Sequence, residues 1–389
     1  MSEPRRQAEV SPEEDDAGPS LAAPDSLLGQ LQRGRGLGVQ RAVTEPDAPS
    51  ALLECLAHDP RWDRQSEERG EYYANLALQL GVGVDRIPAD PRDPDFPLTL
   101  AFDVLVELSR SGSPDAAAML HRYFAEAPQP QWWVVDHLWR EAGEAGRQGL
   151  AEVVLSRVGD AELADAVDPS DDGPWRAWAL VPRVRDALER AQPRPVPPRR
   201  PDLHGASSEA LLALAETQDY RERSAAFREL SARGATVLLD VAERTDLRNG
   251  FGVIPALAKP IVDLGPAALP RARTWLTSGD DWLTGLGQRV ISAHGDSNDG
   301  PTVLTWFEEA IAEAWWYTSE DYADGLARLR YAPALRSLMR AWEVTGHSHA
   351  RASYLRALLA LKTAHREDYL GEAALDCESE VRHTARTAR

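Results

Sequence analysis

From about residue 50 onward, apolar stripes of roughly ten to fifteen residues alternate with short breaks rich in Gly, Pro and Ser. In "SEERGEYYANLALQLGV" the residues Tyr72, Tyr73, Leu76, Ala77 and Leu80 recur three, four and seven positions apart, the spacing that lines up side chains on one face of a helix. The same habit runs through "TLAFDVLVELSRSG", "PDAAAMLHRYFAEA", "WWVVDHLWREAGEAG" and "GLAEVVLSRVG", and resumes beyond residue 207 from "SSEALLALAETQ" to "SEVRHTARTAR". Strict two-residue alternation of β-branched residues is nearly absent, so the pattern predicts an all-α chain without a sheet. Ser50 is placed to cap the helix "SALLECLAH", and Asp59-Pro60 to end it.

The polar breaks divide the chain into four stretches. Residues 1–36 read as a disordered acidic tail with one short helix, in which Asp25 or Ser26 caps Leu27, Leu28 and Leu31 before Gly34, Gly36 and Gly38 break it. Residues 37–190 form an N-terminal helical repeat segment. Residues 191–206 are a Pro-rich linker with five prolines between Pro193 and Pro201, which excludes a helix and favours an extended, stiff chain. Residues 207–389 form the C-terminal repeat segment.

Three arginines suggest a period. Arg289 in "GQRVISAHGD", Arg351 in "HARASYLRALLAL" and Arg382 in "SEVRHTARTAR" stand 62 and then 31 residues apart, two periods and one of the length that holds a pair of short helices. In "YLGEAALDCESEVRHTAR" an apolar helix ends at Asp376, a turn follows, and Val381-Arg382 opens the next helix with Ala385 close behind. This layout resembles a HEAT-type (armadillo/HEAT-like) repeat, most sharply over residues 333–389, less over 207–332, and weakly over 50–190. The resemblance implies a right-handed α-solenoid of helix pairs in two segments. It assigns Asp59, Arg289, Arg351, Asp376, Val381 and Arg382 to the scaffold: Asp at the turn capping the second helix, Arg bridging to the next layer. The last helix then reads as an end cap, with Arg382, His383, Arg386 and Arg389 supplying its polar outer face.

Charge narrows the function. The formal net charge is -19, spread along the whole length. Such a field repels nucleic acid and anionic lipid, and steers a basic protein partner. The chain has 2 lysines against 41 arginines, a bias of a high-GC bacterial genome rather than a set of phosphate ligands. No apolar run approaches the length of a membrane span and the N-terminus lacks the apolar core of a secretory signal, so the expected location is the cytoplasm. Cys55 and Cys377 form no CxxC motif and read as small buried residues.

No nucleophile elbow, phosphate loop, dinucleotide fingerprint or HExxH motif occurs, so the sequence implies no cofactor, no metal and no convincing active site. His347 and His349 point apart on a helix and read as turn histidines, while His294, Asp296 and Asp299 share a polar loop. Tryptophan is the one oddity, with 12 residues including the tandem pairs Trp132-Trp133 and Trp315-Trp316. Neighbours on a helix project about 100° apart, so one ring of each pair must lie outside the buried stripe. Exposed tryptophan is a frequent interface anchor. Trp132, Trp133, Asp136, Trp139, Trp315 and Trp316 are therefore the candidate partner-binding residues of a non-catalytic adaptor, including a regulatory or immunity-type inhibitor. The alternative is an enzyme, or an accessory factor to one, centred on Asp136, His137 and the Trp pair. HEAT-like DNA glycosylases use Trp, Asp and Arg in a basic groove, and the acidic charge argues against that class.

Overall fold

The computed structural model describes residues 19–129, 131–167, 173–191, 202–217, 219–249 and 252–388. The acidic tail up to residue 18 and the proline cluster 192–201 lie outside them. Among the described residues the chain is all-helical, with no strand, and no helix is long and apolar enough to cross a membrane. The helices gather into two compact units. The first comprises Met1–Pro193 with Gly346–Ser348 and Gly371–Arg386; the second comprises Arg194–Thr345, His349–Leu370 and Thr387–Arg389.

The first unit is organised around the helix Leu100–Arg110, which packs against Gly70–Leu80, Pro114–Glu126 and Gly143–Arg147. Its sequence LAFDVLVELSR buries Leu100, Ala101, Phe102, Val104, Leu105, Val106, Leu108 and Ser109, and a helix apolar on nearly all sides belongs in a core. The Thr99 hydroxyl starts it by accepting the Phe102 N–H at 3.2 Å. Asp59 sits just past the Ala48–His58 helix at φ 28°, a conformation that Asp tolerates. It pairs with Arg61 at 2.6 Å, and Arg61 reaches on to Asp103 at 2.6 Å, tying this turn to the central helix.

Two expectations need correcting in this unit. Ser26 does cap a short helix, Leu27–Gln32, but Gly36 and Gly38 do not break the chain: they lie inside the next helix, Gly36–Ala42. The glycines are there for proximity, since a Cβ at Gly36 would stand 1.9 Å from the Glu372 carbonyl oxygen. The second correction concerns residues 371–386, which join the first unit and not the segment that precedes them in sequence. Arg35 grips Glu372 through two nitrogens at 2.7 and 3.1 Å, and the Cys377 N–H donates to the Gly34 carbonyl at 2.9 Å. Arg382 is accordingly no outward-facing cap residue: it bonds the carbonyls of Asp376 and Cys377 at 2.8 and 2.6 Å and pairs with Glu71 at 3.0 Å. Asp376 accepts the Glu378 N–H at 2.9 Å, and Val381 is fully buried in the same turn-and-helix element.

In the second unit helices come in pairs: Ser208–Ala215 with Tyr220–Ala232, Val237–Glu243 with Ala258–Asp263, Leu269–Trp275 with Asp281–His294, Gly300–Ala312 with Trp316–Leu329, and Leu335–Val344 with Ala350–Ala360. The second helix of each pair packs against the second helix of the next. Phe227, Leu257, Ile261, Trp275, Val290, Phe307, Leu326, Trp342, Tyr354 and Leu358 fill the space between. Arg351 is wholly buried within Ala350–Ala360.

Candidate functional site

A groove runs over three of these second helices, Ala258–Asp263, Asp281–His294 and Trp316–Leu329, within the second unit. Its wide end is a cavity of about 500 Å³ lined by Ala258, Asp281, Trp282, Gly285, Leu286, Arg289, Tyr317, Thr318, Glu320 and Asp321. Its narrow end, about 320 Å³, shares Arg289 and Asp321 and continues past Val262, Ser292, Ala293, Asp324, Gly325 and Arg328. Among its lining residues Ala258, Gly285, Ala293 and Gly325 are small.

The glycines do two different jobs. At Gly287 a Cβ would meet the Ala272 carbonyl oxygen at 2.7 Å, and at Gly325 the Ser292 carbonyl oxygen at 2.8 Å, so both permit close helix contact. At Gly285 a Cβ would meet nothing within 4 Å. Glycine in a helix interior costs up to about 1 kcal/mol relative to alanine. No packing contact requires it at position 285, which lines the wide end of the groove. Gly285→Ala should therefore raise the melting temperature of the chain by about 2–4 °C, measured by thermal unfolding. A fall instead would show that the cavity floor is a packing contact.

The groove is charged as well as hollow. Arg289 Nε lies 2.8 Å from Asp321 Oδ2, and from the following second helix Arg356 reaches Asp324 at 3.2 Å. Burial pushes the Asp321 carboxyl above its ordinary value, against the pull of Arg289. Arg328 donates to the Ser292 carbonyl at 3.1 Å, and burial lowers its guanidinium from the ordinary value. The Tyr322 hydroxyl donates to Gln288 Oε1 at 2.9 Å beneath this row. At the wide end the Arg248 guanidinium lies 5.3 Å from the centre of the Trp282 ring and is paired with Asp280. Tyr317 is 56% exposed and Trp315, two residues earlier, 59%.

The tryptophans named from the sequence part company here. Trp316 is buried, with 7% exposure, while Trp315 faces outward. In the first unit Trp132 packs on Trp175 and Trp139 on Trp178, with Trp175 and Trp178 edge to face at 5.5 Å, so these four form an aromatic cluster at the edge of the core. Arg147 lies over Trp139 at 5.2 Å. Trp133 is 43% exposed; Asp136 is half-buried; His137 packs between the rings of Phe102 and Trp133, where burial lowers its pKa. Asp296 and Asp299 both turn to Arg273, at 3.2 and 3.0 Å, and His294 Nε2 bonds the Val262 carbonyl at 2.8 Å. Arg289, read as a scaffold residue, lines both ends of the groove, whereas the sequence pointed to neither Trp282, Gly285 nor Tyr317.

A second constellation, also unforeseen, is sealed inside the first unit. Glu67 and Arg69 are 2.7 Å apart with no exposed side-chain surface. Glu67 also accepts from Trp62 N at 3.0 Å, Ser348 N at 2.7 Å and His347 Nδ1 at 2.9 Å, while Arg69 donates to the carbonyls of Gln32 and, at 2.9 Å, Gly346. His347, in the turn before the helix Ala350–Ala360, is thus a buried clasp residue. Burial alone would raise the Glu67 carboxyl, but Arg69, His347 and the Ser348 N–H together hold it down at about 2. This network holds the segment Gly346–Ser348 in the first unit.

Compared with known proteins, the chain matches no family model, no curated protein and no solved structure.

Proposed function

We propose that the protein is a non-catalytic scaffold of HEAT-like helix-pair repeats that holds a basic protein partner along the groove of its second unit. The observation that carries this reading is the groove itself: a long hollow over successive second helices, opened by small residues and edged by an exposed tyrosine. The repeat reading is supported by contacts that recur at similar spacings. His294 to Val262 and Arg356 to Asp324 each span 32 residues, and Tyr322 to Gln288 spans 34, close to the 31-residue period of the arginines. Stacked helix pairs of this length present their second helices as a continuous binding face.

Charge supports the choice of partner. The side chains lining the wide end include three carboxylates, Asp281, Glu320 and Asp321, against one guanidinium, Arg289, within a chain of net charge -19. Long-range attraction of a basic surface raises the encounter rate, and a partly enclosed aromatic supplies contact area. Cys55 and Cys377 are both buried, and neither is in a disulfide.

Photocrosslinking tests the reading. With p-benzoylphenylalanine in place of Tyr317, irradiation in the cells from which the sequence derives should give an adduct with a basic protein. The same label in a Gly285→Leu background should give none, because leucine fills the groove floor. An adduct insensitive to Gly285→Leu, or no adduct at all, would overturn the proposal.

A further inference from the structure

The wide end of the groove carries a more specific inference, which rests on the reading of the groove as a partner site: we propose that it is a slot for one arginine side chain of the bound protein. Its 500 Å³ accommodates a guanidinium on its three-carbon stem with the adjoining backbone, which a flat acidic patch does not enclose. The walls match that group in kind. Trp282 and the exposed Tyr317 supply ring surfaces, on which a planar, weakly hydrated guanidinium stacks more readily than a compact ammonium does. Asp281 and Asp321 supply carboxylate oxygens, which accept its forked N–H donors.

The fixed cations nearby do not oppose a further one. Arg248 over the Trp282 ring is neutralised by Asp280, and Arg289 by Asp321. The floor is Gly285, whose missing side chain leaves the depth the stem needs.

The full chain labelled with 5-fluorotryptophan tests this by fluorine NMR, with the Trp282 resonance assigned through Trp282→Phe. Titration with acetyl-arginine methylamide should shift that resonance saturably. Acetyl-citrulline methylamide, which keeps the shape and loses the charge, should bind at least about fivefold more weakly. Asp281→Asn should weaken the arginine response about threefold and Gly285→Leu should abolish it, the other tryptophan resonances staying in place as evidence of an intact fold. Equal responses to arginine and citrulline, or none to either, overturn the slot. The groove reading survives that result if the Tyr317 adduct is still lost in Gly285→Leu, and falls if it is not. A concentration-dependent dimer abolished by Gly285→Leu would assign the groove to a second copy of the chain and overturn the proposal.

Discussion

Glu67→Gln is expected to lower the melting temperature of the chain by roughly 10 °C at neutral pH, from a loss of about 3 kcal/mol. The glutamine retains the shape and removes the charge that compensates Arg69, whose guanidinium has no exposed surface. An uncompensated buried charge is far more costly than the pair was favourable. The pH dependence has a fixed sign. The Glu67 carboxyl titrates at about 2 in the folded chain against an ordinary 4.5, so its stabilisation is complete above about 4.5 and is lost as pH falls toward 2. The difference between wild type and Glu67→Gln should thus be largest at pH 7 and shrink steadily below pH 4.5. Thermal melts followed by circular dichroism at pH 7, 5, 4 and 3 check both statements, and a constant difference across that range would sink the account of the network.

Gly36→Ala is the second large effect. The added methyl would lie 1.9 Å from the Glu372 carbonyl oxygen and 3.0 Å from the Leu375 Cβ, and a backbone oxygen cannot swing aside as a side-chain tip can. Either the helix Gly36–Ala42 or the segment 371–386 must move, and with it the Arg35–Glu372 pair and the Cys377 N–H bond to Gly34. Overpacking of this kind costs about 3 kcal/mol. Amide exchange in residues 371–386 should accordingly quicken by about a hundredfold, while the central helix Leu100–Arg110 exchanges as before. Uniform acceleration across the first unit would mean that the segment has no separable docking equilibrium.

The all-helical character was legible because apolar residues at helical spacing report directly on which face a helix buries, as Tyr73 and Leu76 do. The cap at Ser26 and the turn at Asp376 were within reach for the same reason, since they act over three residues, whereas Ser50 lies inside the helix Ala48–His58 and not at its cap. Long-range partnership was not. Nothing in "SEERGEYY" says that Glu67 and Arg69 are enclosed, because the residues that enclose them, Gly346 to Ser348, lie some 280 positions away. The glycines were misleading in one place and silent in another. Gly36 looked like a breaker, yet serves close packing, and Gly285 gave no sign of facing open space, since both roles use the same missing atom. Tandem tryptophans said that one ring must leave the core; which one was decided by where the helix Trp316–Leu329 begins, placing Trp315 outside and Trp316 within.

The two cysteines of the first unit give the molecule a built-in clock. Cys55 and Cys377 belong to one apolar cluster, both almost without solvent contact, and burial pushes the Cys55 thiol up to about 12. A thiol that cannot ionise is inert to alkylation until the chain opens. Cys377 rides on the segment that Gly36 docks, whereas Cys55 sits on Ala48–His58 in the interior. The ratio of their labelling rates therefore separates departure of one helix from loss of the whole unit, without any cysteine having to be introduced.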